Sequence, residues 1–282
     1  MFVVIGIVIV LGCVFGAYAS HGGELGVLWQ PSEFIIIFGA GIGGFVVGNP
    51  LHIIKGAGKG FAAALKGPTY TKAHYVELLS MMFELFRLAK QKGAIALEPH
   101  VENPDSSDIF ARYPKVAKDH HLTDFLRDYL RMITLGTDNA NEMETVLDAE
   151  LDAHHKSDHE ISAALAALAD SFPAIGIVAA VLGVIHTMGS MDQPPEVLGH
   201  MIGAALVGTF AGIFLCYGIF GPIAAACGKA FEADARIYEV MKAGIVGFMQ
   251  GYAPAIVIEM ARKSIDHGKR PSFYDMEAVL AK

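Results

Sequence analysis

The residues able to do chemistry fall into three groups. The first is the stretch Gly39-Ala40-Gly41-Ile42-Gly43-Gly44, which formally matches the dinucleotide fingerprint G-x-G-x-x-G. That fingerprint needs a strand before it, a helix opening at it and an acid about 20 residues on. Here it lies inside an apolar run, where glycines serve close helix approach instead. The second is His155 and His159, at i and i+4 beside His154. That spacing suits a metal, but Glu150, Asp152, Asp158 and Glu160 around it read as a solvated helix face. The third is a set of small, polar and proline residues in the apolar runs: Pro173, Thr209, Tyr217 and Pro222. Thr209 and Tyr217 are eight residues apart, which puts them within about 80° on a helix. Such residues can line an ion path, or can serve backbone bonding and interfacial anchoring. No zinc-protease, P-loop or nucleophile-elbow pattern is present. The residues give no argument for an enzyme, a cofactor or a metal.

The elements that carry these residues are set by composition. The chain has 282 residues, of which 53% are hydrophobic and only 18% charged. A soluble domain carries about 25% charge. The apolar residues concentrate in four runs: Met1 to Ala19, Phe34 to Gly48, Phe172 to Met188 and His200 to Ala226. About 20 helical residues cross a 30 Å hydrocarbon core. The second run is slightly short and can span either by extending into Leu51 to Ile54 or by packing inside a bundle. The first run lacks a positive leader segment, since the first Lys or Arg is Lys55, so it reads as a retained span rather than a cleaved signal.

Charge sets the orientation. All 21 Lys and Arg fall between Lys55 and Lys156 or between Lys229 and Lys282. Neither Ser20 to Glu33 nor Gly189 to Gly199 contains one. The positive-inside rule makes both blocks cytoplasmic, with both termini inside and two short outer loops. The expected domains are therefore spans one and two over 1–54, a cytoplasmic helical domain over 55–170, spans three and four over 171–227, and a cytoplasmic helix and tail over 228–282. The fold class is an all-α membrane protein with four transmembrane helices. The net charge of −8 and the lack of a basic stripe exclude a general nucleic-acid role. Cys13, Cys216 and Cys227 have no C-x-x-C spacing and read as packing residues.

Within the polar middle, Asn103-Pro104-Asp105 reads as a helix start. Leu122, Phe125, Leu126, Tyr129, Leu130 and Ile133 form one apolar helix face, and Gly136 stops it. Residues 229–262 read as one further helix. Read this way, the four spans contain no Asp, Glu, Lys or Arg; His186 and His200 are their only ionisable groups besides Tyr and Cys. A proton relay through a bilayer usually needs a carboxylate, so an ion-conducting role requires one from a partner chain.

Several segments resemble the MotA-type stator subunits of bacterial flagellar motors. Gly12 to Asn49 resembles their first two spans, Ser171 to Ser190 their third and Gly208 to Ala224 their fourth. Gly251 to Pro254 (GYAP) and Arg270 to Phe273 (RPSF) resemble their C-terminal signatures. Lateral-flagellar LafT subunits are similar to the same degree. The resemblance implies a homo-oligomeric ring in the bacterial inner membrane. It implies a MotB-type partner carrying the ion-binding aspartate and a peptidoglycan anchor, and a rotor partner, FliG. It assigns Pro173 and Pro222 to coupling, Thr209 and Tyr217 to the ion path, and Lys90 and Glu98 to the rotor interface. Lys90 stands where many relatives have Arg, which keeps the sign and loses the bidentate fork; Arg87 can share its role, and Glu150 contributes more weakly. Ala180 falls where sodium-driven relatives carry a threonine, which favours protons as the coupling ion. The alternative is an ExbB- or TolQ-like energy-transducing subunit, a family that usually has three spans. A scaffold without ion flow and a self-sufficient transporter are further readings, the latter disfavoured by the missing carboxylate.

Overall fold

The computed structural model describes residues 2–280. Among them the regular structure is helical throughout. In chain order the helices are α1 (Phe2–Ser20), α2 (Pro31–Gly48), α3 (Leu51–Lys66), α4 (Lys72–Lys92), α5 (Glu98–Glu102), α6 (Asp108–Ala111), α7 (Pro114–Ala117) and α8 (His120–Thr134). They continue with α9 (Ala140–Met188), α10 (Pro195–Phe214), α11 (Gly221–Met249), α12 (Pro254–Lys263) and α13 (Phe273–Leu280). Four helical stretches are long and apolar enough to cross a membrane: Phe2–Ser20, Leu25–Gly48, Ala140–Met188 and Pro195–Met249. The chain forms two compact units, one of residues up to Gly67 with Ser157–Phe231, the other of Pro68–Lys156 with Glu232–Lys282.

The first unit is built on glycine. Gly208 and Gly212 on α10 are four residues apart, a small-xxx-small pair that lets helix backbones meet. A Cβ on Gly212 would lie 2.5 Å from the Phe172 carbonyl oxygen of α9. A Cβ on Gly176 would lie 2.6 Å from the Gly208 carbonyl oxygen. Only hydrogen fits on either side. Gly56 and Gly60 of α3 repeat the spacing; a Cβ there would meet Ile161 at 2.6 Å and Cys227 at 2.8 Å. Around the α9–α10 seam, Ile37 and Phe172 are fully buried, and the Phe172 ring meets Phe38 at 5.7 Å and Phe220 at 5.0 Å. In the fingerprint-like stretch, Gly41 packs on Phe172, while Gly39, Gly43 and Gly44 face open space. Cys216 and Cys227 are buried as packing residues; Cys13 is exposed.

The second unit has a continuous apolar core. All six residues of the predicted α8 face are buried. Asp119 caps that helix, accepting from the His121 and Leu122 amides at 3.1 and 3.3 Å. Gly136 ends it with φ +99°. Phe86 of α4 stacks on Phe248 of α11 at 4.6 Å. Surface charges are largely paired, as Arg112 with Glu84 at 2.6 Å and Arg131 with Glu102 at 2.7 Å.

Four expectations are corrected. The second span does not extend into Leu51 to Ile54. Pro50 lacks an N–H and holds Asn49 extended (φ −128°, ψ 141°), so α2 stops and α3 starts afresh. The span lengthens at its other end, through a 3₁₀ turn at Leu25–Leu28 and a start at Pro31. That draws Glu33 into a span and ends the expectation of carboxylate-free spans. Asn103-Pro104-Asp105 makes a single 3₁₀ turn over Pro104–Ser106, and Ser107 caps the next helix instead, accepting from the Phe110 amide at 3.3 Å. The helix expected over 229–262 breaks after Met249, where Gly251 takes φ +85° and Pro254 opens α12.

Candidate functional site

The first unit holds the predicted coupling residues. Pro173 lies inside α9 without ending it. Its missing N–H leaves the Ala169 carbonyl without its i+4 donor. Ala180 is buried on the same helix, and its amide nitrogen lies 3.0 Å from where a Cβ on Gly208 would sit. Thr209, the neighbour of Gly208, is half-buried, and its hydroxyl makes no hydrogen bond among the described residues. It therefore does not back-bond its own helix as Thr187 does to Gly183 at 2.9 Å. Tyr217 is 72% exposed and sits in a six-residue π-helical segment, Leu215–Phe220, between α10 and α11. Such segments often mark functional positions. Pro222 lies two residues beyond the end of this segment and is exposed. Tyr217 and Pro222 share the wall of one groove, while Pro173, Ala180 and Thr209 belong to the α9 and α10 helices that meet at the glycine seam.

Sequence reasoning missed two acids in this unit. Glu33, in the first turn of α2, is 7% exposed. One carboxyl oxygen reaches the notch at Gly208, 2.7 Å from where a Cβ would sit; the other is 3.5 Å from the corresponding point on Gly183. The oxygen in the Gly208 notch is buried with no hydrogen-bond partner among the described residues. Its signal was Pro31 at the first helical position with an acid in the first turn. The second is Asp170, one turn before Pro173, which lines the groove of Tyr217 and Pro222. By sequence it falls at the end of the polar middle, the last residue of the expected 55–170 domain.

The second unit holds the predicted charged surface. Arg87 and Lys90 are exposed near the end of α4, and Glu98 is exposed at the start of α5. Gly93, at φ +87°, turns the chain between them. Among the described residues, none of these three makes an ion pair within 4 Å, unlike Glu84 and Glu102 nearby. Lys90 donates to the Gly251 carbonyl at 3.1 Å, so the GYAP turn holds the ammonium in place without neutralising it. Arg87 lies over the Phe83 ring at 5.5 Å, a cation–π contact. Glu150 differs: it accepts a short hydrogen bond from the Tyr129 hydroxyl. Burial, reinforced by that carboxylate, pushes the Tyr129 phenol well above the ordinary tyrosine range. His155 lies 4.0 Å from Glu239. No three His, Cys, Asp or Glu gather in a metal-binding group among the described residues.

The chain as a whole is similar to known proteins. Residues 4–93 match the family described as Motility protein A N-terminal, and residues 117–240 match the MotA/TolQ/ExbB proton channel family. The chain is 43% identical to Motility protein A of Escherichia coli strain K12 over 98% of its own length and 94% of that protein's. The chain belongs to the motility protein A family. It is also 37% identical to the chemotaxis protein LafT of Vibrio parahaemolyticus, over 98% of this chain and 97% of that one. Among solved structures, it is similar to the flagellar MotAB stator complex from Bacillus subtilis, with TM-score 0.72, 26% identity and coverage of 91% and 92% of the two chains. The C. jejuni MotAB structure shares the fold at TM-score 0.79 and 19% identity, covering 96% and 98%. Family membership thus follows from 43% identity over nearly the full length, and four membrane-spanning helices accord with it.

Proposed function

We propose that this chain is a stator subunit of a bacterial flagellar motor. With a MotB-type partner it forms a proton channel in the inner membrane, and its ring turns proton flow into torque on the rotor. The observation that carries the reading is the pairing of two features on one chain of this family. One is the glycine-built membrane unit with an unbonded Thr209 hydroxyl. The other is a surface on the second unit where Arg87, Lys90 and Glu98 stay unpaired. Both termini and the second unit face the cytoplasm by charge bias, because every Lys and Arg falls between Lys55 and Lys156 or between Lys229 and Lys282 and none falls in the two outer loops. The partner supplies the carboxylate that takes protons from the path beside Pro173, Ala180, Thr209, Tyr217 and Pro222. The buried methyl of Ala180 offers no oxygen to a hard cation, which favours protons over sodium.

Proton passage would alter the α9–α10 contacts beside Pro173, and the ring would advance against the rotor protein FliG through Lys90, Glu98 and Arg87. Each charge crossing 100 mV yields about 2.3 kcal/mol. Rearranging a few surface ion pairs costs about 0.2–1 kcal/mol each, so the work of one proton is comparable to a step of that kind. Glu150, tied to Tyr129, would act by fixing α9 against α8 rather than by touching the rotor. No substrate is turned over in this scheme. The test is expression of the chain with its native MotB-type partner in a strain lacking its own stator genes. Restored swimming supports the proposal. Immotility of cells in which both proteins are membrane-inserted and co-purify would favour an ExbB-like role.

A further inference from the structure

The membrane-spanning unit contains an open groove of about 470 Å³, lined by His159 and Asp170 on α9 and by Cys216, Tyr217, Pro222 and Gly228 across from them. His159 and Asp170 are eleven residues apart, which puts them on one helix face within about 20° and about 16 Å apart along the axis. The α9 face between them carries only small side chains, so the groove has room for water.

Asp170 itself is exposed and almost uncommitted. Among the described residues its one hydrogen bond comes from the weakly donating Cys216 thiol, at 3.8 Å. No backbone N–H and no Lys or Arg within 4 Å holds it, among the described residues. Structural carboxylates in this protein look different: Asp119 caps a helix, and Glu102 pairs with Arg131. Cys216 and Tyr217 both lie in the π-helical segment, so the contact joins Asp170 to the one place where this span departs from α geometry. A lone carboxylate one turn from the coupling Pro173, facing a wettable groove with a histidine further along it, is the arrangement of an Asp/His proton relay.

We propose that Asp170 is a proton-relay residue that carries protons out of the membrane path along this groove, with His159 as the next acceptor. The inference rests on the proton-channel reading above. In the relay an O–H bond breaks on the partner's carboxylic acid and one forms on Asp170. That bond then breaks as the proton passes along a file of groove waters to the His159 ring, which releases it to the water beyond the groove. No electron changes hands, and each group returns to its starting state. The titratable groups facing Asp170 are Cys216 and Tyr217 from the opposite wall and His159 from its own helix.

The complex of this chain with its MotB-type partner, in liposomes holding a pH-sensitive dye under an imposed potassium diffusion potential, tests this. Asp170→Asn should cut proton flux at least about tenfold, with the complex still co-purifying. Millimolar formate or azide, small weak acids that can stand in for a missing carboxyl, should restore much of the loss, and Asp170→Glu should recover flux relative to Asp170→Asn. His159→Gln should slow flux about two- to threefold. Undiminished flux in assembled Asp170→Asn would overturn the relay. So would a loss that neither weak acid nor Asp170→Glu relieves, since that pattern marks a purely structural role. Absence of flux from the unaltered complex would instead overturn the proton-channel reading, and the relay with it.

Discussion

Gly212→Val is expected to abolish motility and to lower the melting temperature of the purified protein by about 10 °C. The added Cβ would sit 2.5 Å from the Phe172 carbonyl oxygen and 3.0 Å from the Gly176 Cα. Both obstacles are backbone, so no side-chain rotation makes room. Overpacking a well-filled core costs about 1–3 kcal/mol, and more where nothing yields. The α9–α10 seam must therefore open, and Pro173 and Ala180 move away from the helix bearing Thr209. Gly203→Ala is the control on the same helix, since open space surrounds it within this chain. It should leave the melting temperature within about 2 °C. A Gly212→Val protein that melts and swims like the original would refute the seam.

The second large effect is at the charged surface. The double change Lys90→Glu with Glu98→Lys should leave cells non-motile while proton leak stays unaltered. Either single reversal should cut swimming speed by about half or more, because an exposed pair with a rotor charge is worth at most about 1 kcal/mol and reversal changes its sign. The prediction follows from the unpaired state of both groups, which leaves their fields free to act outside the chain. Glu102→Gln, at a carboxylate already held by Arg131 at 2.7 Å, should change speed little. Tethered-cell rotation with a parallel leak measurement separates torque loss from channel damage. Full motility in the double reversal would remove these residues from the rotor contact.

Much of this was legible in the residues because it is set locally. Three of the four apolar runs name their spans by length, and α8 shows its buried face by spacing alone. Glu33 escaped because an acid at the edge of an apolar run looks like a loop residue; only its burial against the glycine notch shows otherwise. Asp170 escaped in the same way at the entrance of the third run. The π-helical turn at Leu215–Phe220 has no local sequence signature, since it interrupts an otherwise uniform apolar run. Which charges are free is likewise a tertiary fact. Glu102 finds Arg131 across 29 residues and Lys90 finds the Gly251 carbonyl across 161, whereas Glu98 finds no such partner. The break at Gly251 and Pro254 is readable from residue type, a glycine at positive φ followed by a proline that opens the next helix.

Swimming speed in a stator-deletion strain carrying this chain and its native partner, with sodium varied at constant pH and ionic strength and an uncoupler added separately, addresses the central claim. A proton-driven stator predicts speed that ignores sodium and collapses with the uncoupler. Speed that scales with sodium and survives the uncoupler would contradict the reading of Ala180 and of the groove at Asp170.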